Sequence, residues 1–242
     1  MLGLFSLSIF IFTLSILLNV ELIILKRLLS GNKYSEDEYI IVAKRNIKRL
    51  FRDKSTISFI DNLKVFYVDN LKGDTRGQCH SSLFTSLVLI KSNTILKQHV
   101  IEHELLHAVD FYLGITKKTS FKNLIDEQKS KEERKNWILK KFPGYDPRSI
   151  KEYVDHTDQE KSYWLSNSEL FVTLNNLRLY MFKKNIIKYG EYISKETINK
   201  VVEQLKKEKN ITAVDFFTAL TFIRMENDHD INRLNNFYKL SK

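Results

Sequence analysis

The stretch from about Ile95 to Leu113 constrains this chain more than any other, because it makes two opposed demands. Val100, Ile101, Leu105, Leu106 and Val109 give it the surface of a core helix, while His103, Glu104 and His107 stand among them. A polar group buried without a partner costs roughly 2–7 kcal/mol. A fold that buries this helix must therefore bring partners to all three. Asn93 or Thr94 can cap its start, and Gly114 stands where a C′ glycine belongs.

His103-Glu104-Leu105-Leu106-His107 is an H-E-x-x-H pattern. Histidines four apart lie one turn apart on one helix face, so both imidazoles can meet one metal ion. Glu104 lies beside that face and can reach an activated water as a general base without being a ligand; zinc lowers the pKa of such a water to about 7. With 6 histidines in the chain, chance occurrence is on the order of one in a hundred. The bland alternative is two surface histidines beside a solvated glutamate. A catalytic tetrahedral site needs a third protein ligand. A metzincin-type third histidine is excluded, because Ala108-Val109-Asp110 follow His107. The candidates are Glu169, His156, His229, Asp158 and Asp110. Glu169 is the best placed, in a second helical stretch whose Leu170, Phe171, Leu174 and Leu177 can pack beside the first. Asp110 shares the face of the two histidines and is expected to accept a hydrogen bond from a ligand imidazole.

Composition narrows the alternatives. At 43% hydrophobic and 28% charged, the chain can bury a core, so disorder is not expected. Only 7 Gly and 2 Pro in 242 residues argue against collagen-like and many-stranded all-β folds. The single cysteine, Cys79, excludes an internal disulfide framework and a multi-cysteine metal site. A net charge of +10 suits anionic surfaces. The basic residues are dispersed and no aromatic-basic motif stands out, so no specific nucleic-acid partner is expected.

Residues 2–20 carry no charge, and Leu22 to Leu25 extend the apolar stretch past Glu21. About 20 helical residues span a hydrocarbon core of roughly 30 Å. Lys26, Arg27 and Lys33 follow. The basic n-region and small-residue cleavage site of a signal peptide are missing, so residues 1–30 read as an uncleaved membrane anchor with 2–25 in the lipid. Secretion after cleavage and a buried core helix are the alternatives.

Ser35 with Glu38 reads as a capping box opening a helix to about Arg52. Strand-like runs follow at Leu63 to Val68 and Leu83 to Ile90, with LKGDTRGQCHSS between them as a loop. Lys117 to Lys161 is strongly charged and reads as an exposed insertion of short helices. Helices are expected at Asn167 to Lys184 and from about Ser194 and Thr212. Strands before Ile95 and helices after it make the fold class α+β, in one domain over 31–242.

HELLHAVDFYLG followed by SNSELFVTL resembles the zinc metalloprotease family of anthrax toxin lethal factor and the Pro-Pro endopeptidases, over residues 55 to 185. The resemblance implies a zincin-like domain with a small sheet followed by a mostly helical part, acting as an endopeptidase on protein or peptide substrates. It implies that His103, His107 and Glu169 bind Zn2+, with Glu104 as general base. It also implies that the strand at Leu83 to Ile90 is the edge on which an extended substrate pairs. The chain departs from the pattern twice. The interval from His107 to Glu169 is longer, with 117–161 as the insertion. The family's catalytic tyrosine stands seven residues before its glutamate ligand, where this chain has Ser162; Tyr163 comes one place later and is the candidate for oxyanion stabilisation, with Tyr145 and Tyr153 as substitutes. A non-catalytic membrane-attached interaction domain with the same fold is the alternative function.

Overall fold

A computed structural model describes residues 33–34, 36–71, 75–81, 86–95, 97–121, 124, 130–141, 162–163, 165–188, 191–207 and 228–240. The expected anchor at 1–30 and the helix expected from Thr212 lie outside them. Among the described residues no helix is long and apolar enough to cross a membrane.

The architecture is α+β. A four-stranded sheet contains β1 (Lys33–Tyr34), β2 (Lys64–Val68), β3 (Gly77–Ser81) and β4 (Ser86–Lys91) in the order β1-β2-β4-β3. Leu87 to Ile90 are all buried, as befits a strand covered on both faces. β4 pairs in parallel with β2, Val88 opposite Val65, and antiparallel with β3, Val88 opposite Cys79. The strand expected to be the edge is thus internal. Among the described residues the outer strands are β1 and β3, and β3 lies in the segment that reads as a loop: its polar sequence hides a strand held by its ladder to β4.

Hydrogen bonding fixes which way β3 faces. Lys91 N–H donates to the Arg76 carbonyl at 2.9 Å. With Gln78 opposite Leu89 and His80 opposite Leu87, the alternation of an antiparallel ladder turns the backbone groups of Gln78 and His80 toward β4. Those of Gly77, Cys79 and Ser81 turn outward.

Helix α1 (Glu38–Lys48) starts at Asp37, whose carboxylate accepts the Ile40 N–H at 3.0 Å, and it buries Ile40, Ala43 and Ile47. The cap is Asp37 rather than Ser35, and the helix stops short of Arg52. Helix α2 (Lys54–Asn62), unforeseen in the sequence, is capped by Asp53, which accepts the Thr56 N–H at 2.8 Å. Its buried side is only Thr56 and Ile60, too short a pattern to read. Helix α3 (Lys97–Leu113) ends at Gly114, whose φ of 62° is the left-handed conformation that glycine tolerates best. After it come α4 (Ile115–Lys118), α5 (Lys131–Lys141), α6 (Asn167–Lys183), α7 (Lys195–Lys207) and α8 (Asp228–Leu240).

Helix α3 is the centre, packed against α1, α6, β3 and β4. Every residue of α6 from Glu169 to Met181 is buried, so this helix is enclosed all round. The charged segment 117–161 is not wholly an exposed insertion. Phe121, Leu124 and Ile138 join the core, and Phe121 meets Phe237 of α8 edge-to-face at 4.9 Å. These anchors are too widely spaced among charges to reveal themselves as a pattern.

Glu102 pins the helices together. Its carboxylate is 2% exposed as a side chain and takes the Lys183 ammonium at 2.7 Å, Asn46 Nδ2 at 2.8 Å and Gln98 Nε2 at 3.0 Å. Lys183→Met leaves a buried carboxylate with neutral partners only, and is expected to cost about 1.5–3 kcal/mol. Urea unfolding measures this; a loss below about 0.5 kcal/mol would mean Asn46 and Gln98 suffice.

Candidate metal centre and cleft

Helix periodicity brings His103 and His107 together, with ring centroids 4.9 Å apart and Nε2 atoms at 3.2 Å. The third member comes from α6. Ser166 caps that helix by accepting the Glu169 N–H at 3.4 Å, which places Glu169 in the first turn. Its side chain turns inward, 6% exposed, and meets His103 Nε2 at 3.4 Å and His107 Nε2 at 3.3 Å. Asn167 ties the start of α6 to the chain after α4, accepting the Phe121 N–H at 3.2 Å.

Among the described residues these three form a group able to hold a metal ion. Donors bound tetrahedrally at about 2.0–2.1 Å lie about 3.3 Å from one another. The imidazole nitrogens stand 3.2 Å apart, and the carboxylate approaches them with separate oxygens, Oε2 at 3.4 Å from His103 and Oε1 at 3.3 Å from His107. Hydrogen bonds account for the triangle less well. Were both imidazoles to donate to Glu169, their Nε2 protons would crowd each other. Glu169 Oε2 is also buried with no hydrogen bond among the described residues. Burial works against its charge, yet His103 and His107 outweigh burial and hold the carboxyl below its usual range. The donor set of two imidazoles and a carboxylate suits zinc, one of several divalent ions it would take.

Glu104 lies beside the face of the two histidines and is buried. Burial above all, with the Glu169 charge adding to it, raises its pKa; the two histidines and the Cys79 N–H, which donates to the carboxylate, pull the other way. That bond uses an outward-turned group of β3. Gly77 permits the approach, since a Cβ there would lie 2.7 Å from Glu104 Cγ and Val100 Cγ1.

Asp110 supports His107 through an intermediary. His107 Nδ1 meets the Ser168 hydroxyl at 3.0 Å, and that hydroxyl donates to Asp110 Oδ2 at 3.2 Å. With Nε2 turned to the ligand triangle, Nδ1 carries the proton and the chain runs from His107 through Ser168 to Asp110. Asp110 also accepts the Thr116 N–H at 3.1 Å and the Thr116 hydroxyl at 2.7 Å. The expected direct bond from imidazole to Asp110 is therefore replaced by a serine relay.

A cleft of about 530 Å3 opens between β3 and the ends of α3 and α6. Glu104, His107 and Tyr163 all line it. Tyr163 lies just before α6, 56% exposed, and its carbonyl accepts the Ser166 N–H at 3.0 Å. Of the other candidates, His229 is exposed on α8. His156, Asp158, Tyr145 and Tyr153 lie outside the described residues. Sequence reasoning missed Ser168, Gly77 and the Cys79 backbone. Only Ser168 left a trace, as the residue preceding Glu169.

Two substitutions probe this arrangement. Ser168→Ala cuts the relay and is expected to weaken metal binding about tenfold, read by chelator competition; unchanged affinity would make the hydroxyl incidental. Gly77→Ala should push β3 away from Glu104 and cost about 1–3 kcal/mol in urea unfolding.

No protein-family model matches this chain, and no curated protein or solved structure matches it either.

Proposed function

We propose that this chain is a zinc-dependent endopeptidase with a zincin-like domain over 31–242, tethered to a lipid membrane through residues 2–25. The observation that carries this reading is the juxtaposition of the His103–His107–Glu169 triangle with buried Glu104 under an outward-facing strand. An open-edged β3 beside catalytic groups suits an extended peptide, which pairs backbone to backbone with the outward groups of Gly77 and Ser81 and the Cys79 carbonyl.

His103, His107 and Glu169 would hold the zinc. Bound there, zinc supplies Lewis acidity, making water a nucleophile near neutral pH and polarising a carbonyl. The chain's own residues do the rest. Glu104, with its proton affinity raised by burial, takes a proton from the attacking water and passes it to the leaving amine. Tyr163, across the cleft, offers its hydroxyl to the oxygen on which charge develops. Ser168 and Asp110 hold the His107 ring so that Nε2 stays a lone-pair donor.

Metal content and hydrolysis of a broad peptide library test the reading together. The full chain is expected to hold about one zinc, lost or sharply weakened in His103→Ala and Glu169→Ala. Glu104→Gln should keep the zinc and lose hydrolysis by roughly three orders of magnitude or more. Absence of zinc from folded wild type would overturn the proposal. Zinc without cleavage of any peptide would favour a non-catalytic interaction domain.

A further inference from the structure

The charges lining the cleft can be accounted for one by one. Asp110 is engaged by Thr116 and Ser168, accepting three hydrogen bonds. Glu104 accepts the Cys79 N–H, and His107 is committed to Glu169 and Ser168. Lys117 differs. It lines the cleft from α4, exposed, and no carboxylate among the described residues lies within ion-pairing distance of it. Its ammonium stands 4.7 Å from the centre of the Phe111 ring, and Phe111 lines the same cleft with 36% of its surface exposed. The ring is a weak partner for a cation in water and leaves most of the ammonium's hydrogen-bonding capacity open.

Position gives this cation its meaning. Phe111 follows His107 by one helical turn on α3, and Lys117 comes just after Thr116, which holds Asp110. The cation and the ring therefore sit beside the reacting groups, where a side chain of a peptide lying along β3 would reach. An ammonium above an aromatic face offers charge to a carboxylate and an apolar wall to the methylenes beneath it. A basic side chain in the same place meets repulsion from the ammonium, while the buried carboxylates of Asp110 and Glu104 are already taken up by hydrogen bonds, which is discrimination by exclusion as well as attraction.

We infer that Lys117 and Phe111 form a specificity subsite that selects substrates with an acidic side chain, glutamate in particular, next to the cleaved bond. This rests on the reading of the cleft as a peptide-cutting site. Glutamate fits better than aspartate, because its extra methylene lies along the ring while its carboxylate reaches the ammonium.

The test uses the full-length protein loaded with zinc and decapeptide pools in which each position in turn is Glu, Gln or Lys. At one position, or two adjacent ones, kcat/KM for Glu is expected to exceed that for Lys roughly fivefold to twentyfold, since attraction and repulsion both count. Lys117→Ala should bring the ratio close to one, and Lys117→Glu should invert it. Lys118→Glu makes the same charge change outside the cleft lining and should leave the ratio as in wild type. An unaltered ratio in Lys117→Ala, or a wild-type preference for Lys, overturns the inference. If the zinc-loaded chain cleaves none of the pools, the peptidase reading falls by itself. Binding of fluorescein-labelled Glu pools then decides the subsite: tighter binding than of Lys pools, lost in Lys117→Ala, sustains it, and equal binding removes it.

Discussion

The structure depends on how α3 is buried. A helix enclosed by α1, α6, β3 and β4 carries Glu102, His103, Glu104 and His107 into surroundings where unpaired polar groups are expensive. Their partners come from three neighbouring elements: Glu102 has them on α1 and α6, His103 and His107 on α6, Glu104 on β3. One helix thus sets the position of its neighbours. A slip of α6 along α3 would strand Lys183 and Glu169 together, so packing and polar pairing specify the same arrangement.

The first turn of α6 carries several tasks in a few residues. Ser166 caps the helix, Asn167 anchors it to Phe121, Ser168 joins His107 to Asp110, and Glu169 faces both imidazoles. A helix start suits this, because its free N–H groups need side-chain partners and its backbone is well defined. Groups held on helices and strands keep tighter geometry than groups on loops. The same turn ties the long segment after α3 back to the site.

On the other side, the approach of β3 to α3 defines the cleft. Gly77 lets the strand lie on Glu104 and Val100, and the ladder to β4 turns alternate backbone groups outward. An edge strand with open hydrogen-bonding groups is ordinarily a liability. Here its polar side chains and the bond from Cys79 to Glu104 moderate that liability.

Local patterns in the sequence carried the helix of α3 with its left-handed glycine, the helix of α6, the paired histidines and the α+β class, since periodicity and capping act over a few residues. Glu169 was legible as a candidate because its helix has an apolar face. What needed the tertiary structure were features whose cause is distant in the chain. β3 is polar and becomes a strand only beside β4; Asp110 reaches His107 only through a serine brought from α6; Phe121 and Ile138 enter the core from among charges. Gly77 is uninformative until Glu104 lies beneath it. The sequence by itself determined the helices of α3 and α6 and which polar residues would need company. Tertiary packing decided which partners they received and which strand became the edge, because burial and register are set by contacts between segments far apart in the chain.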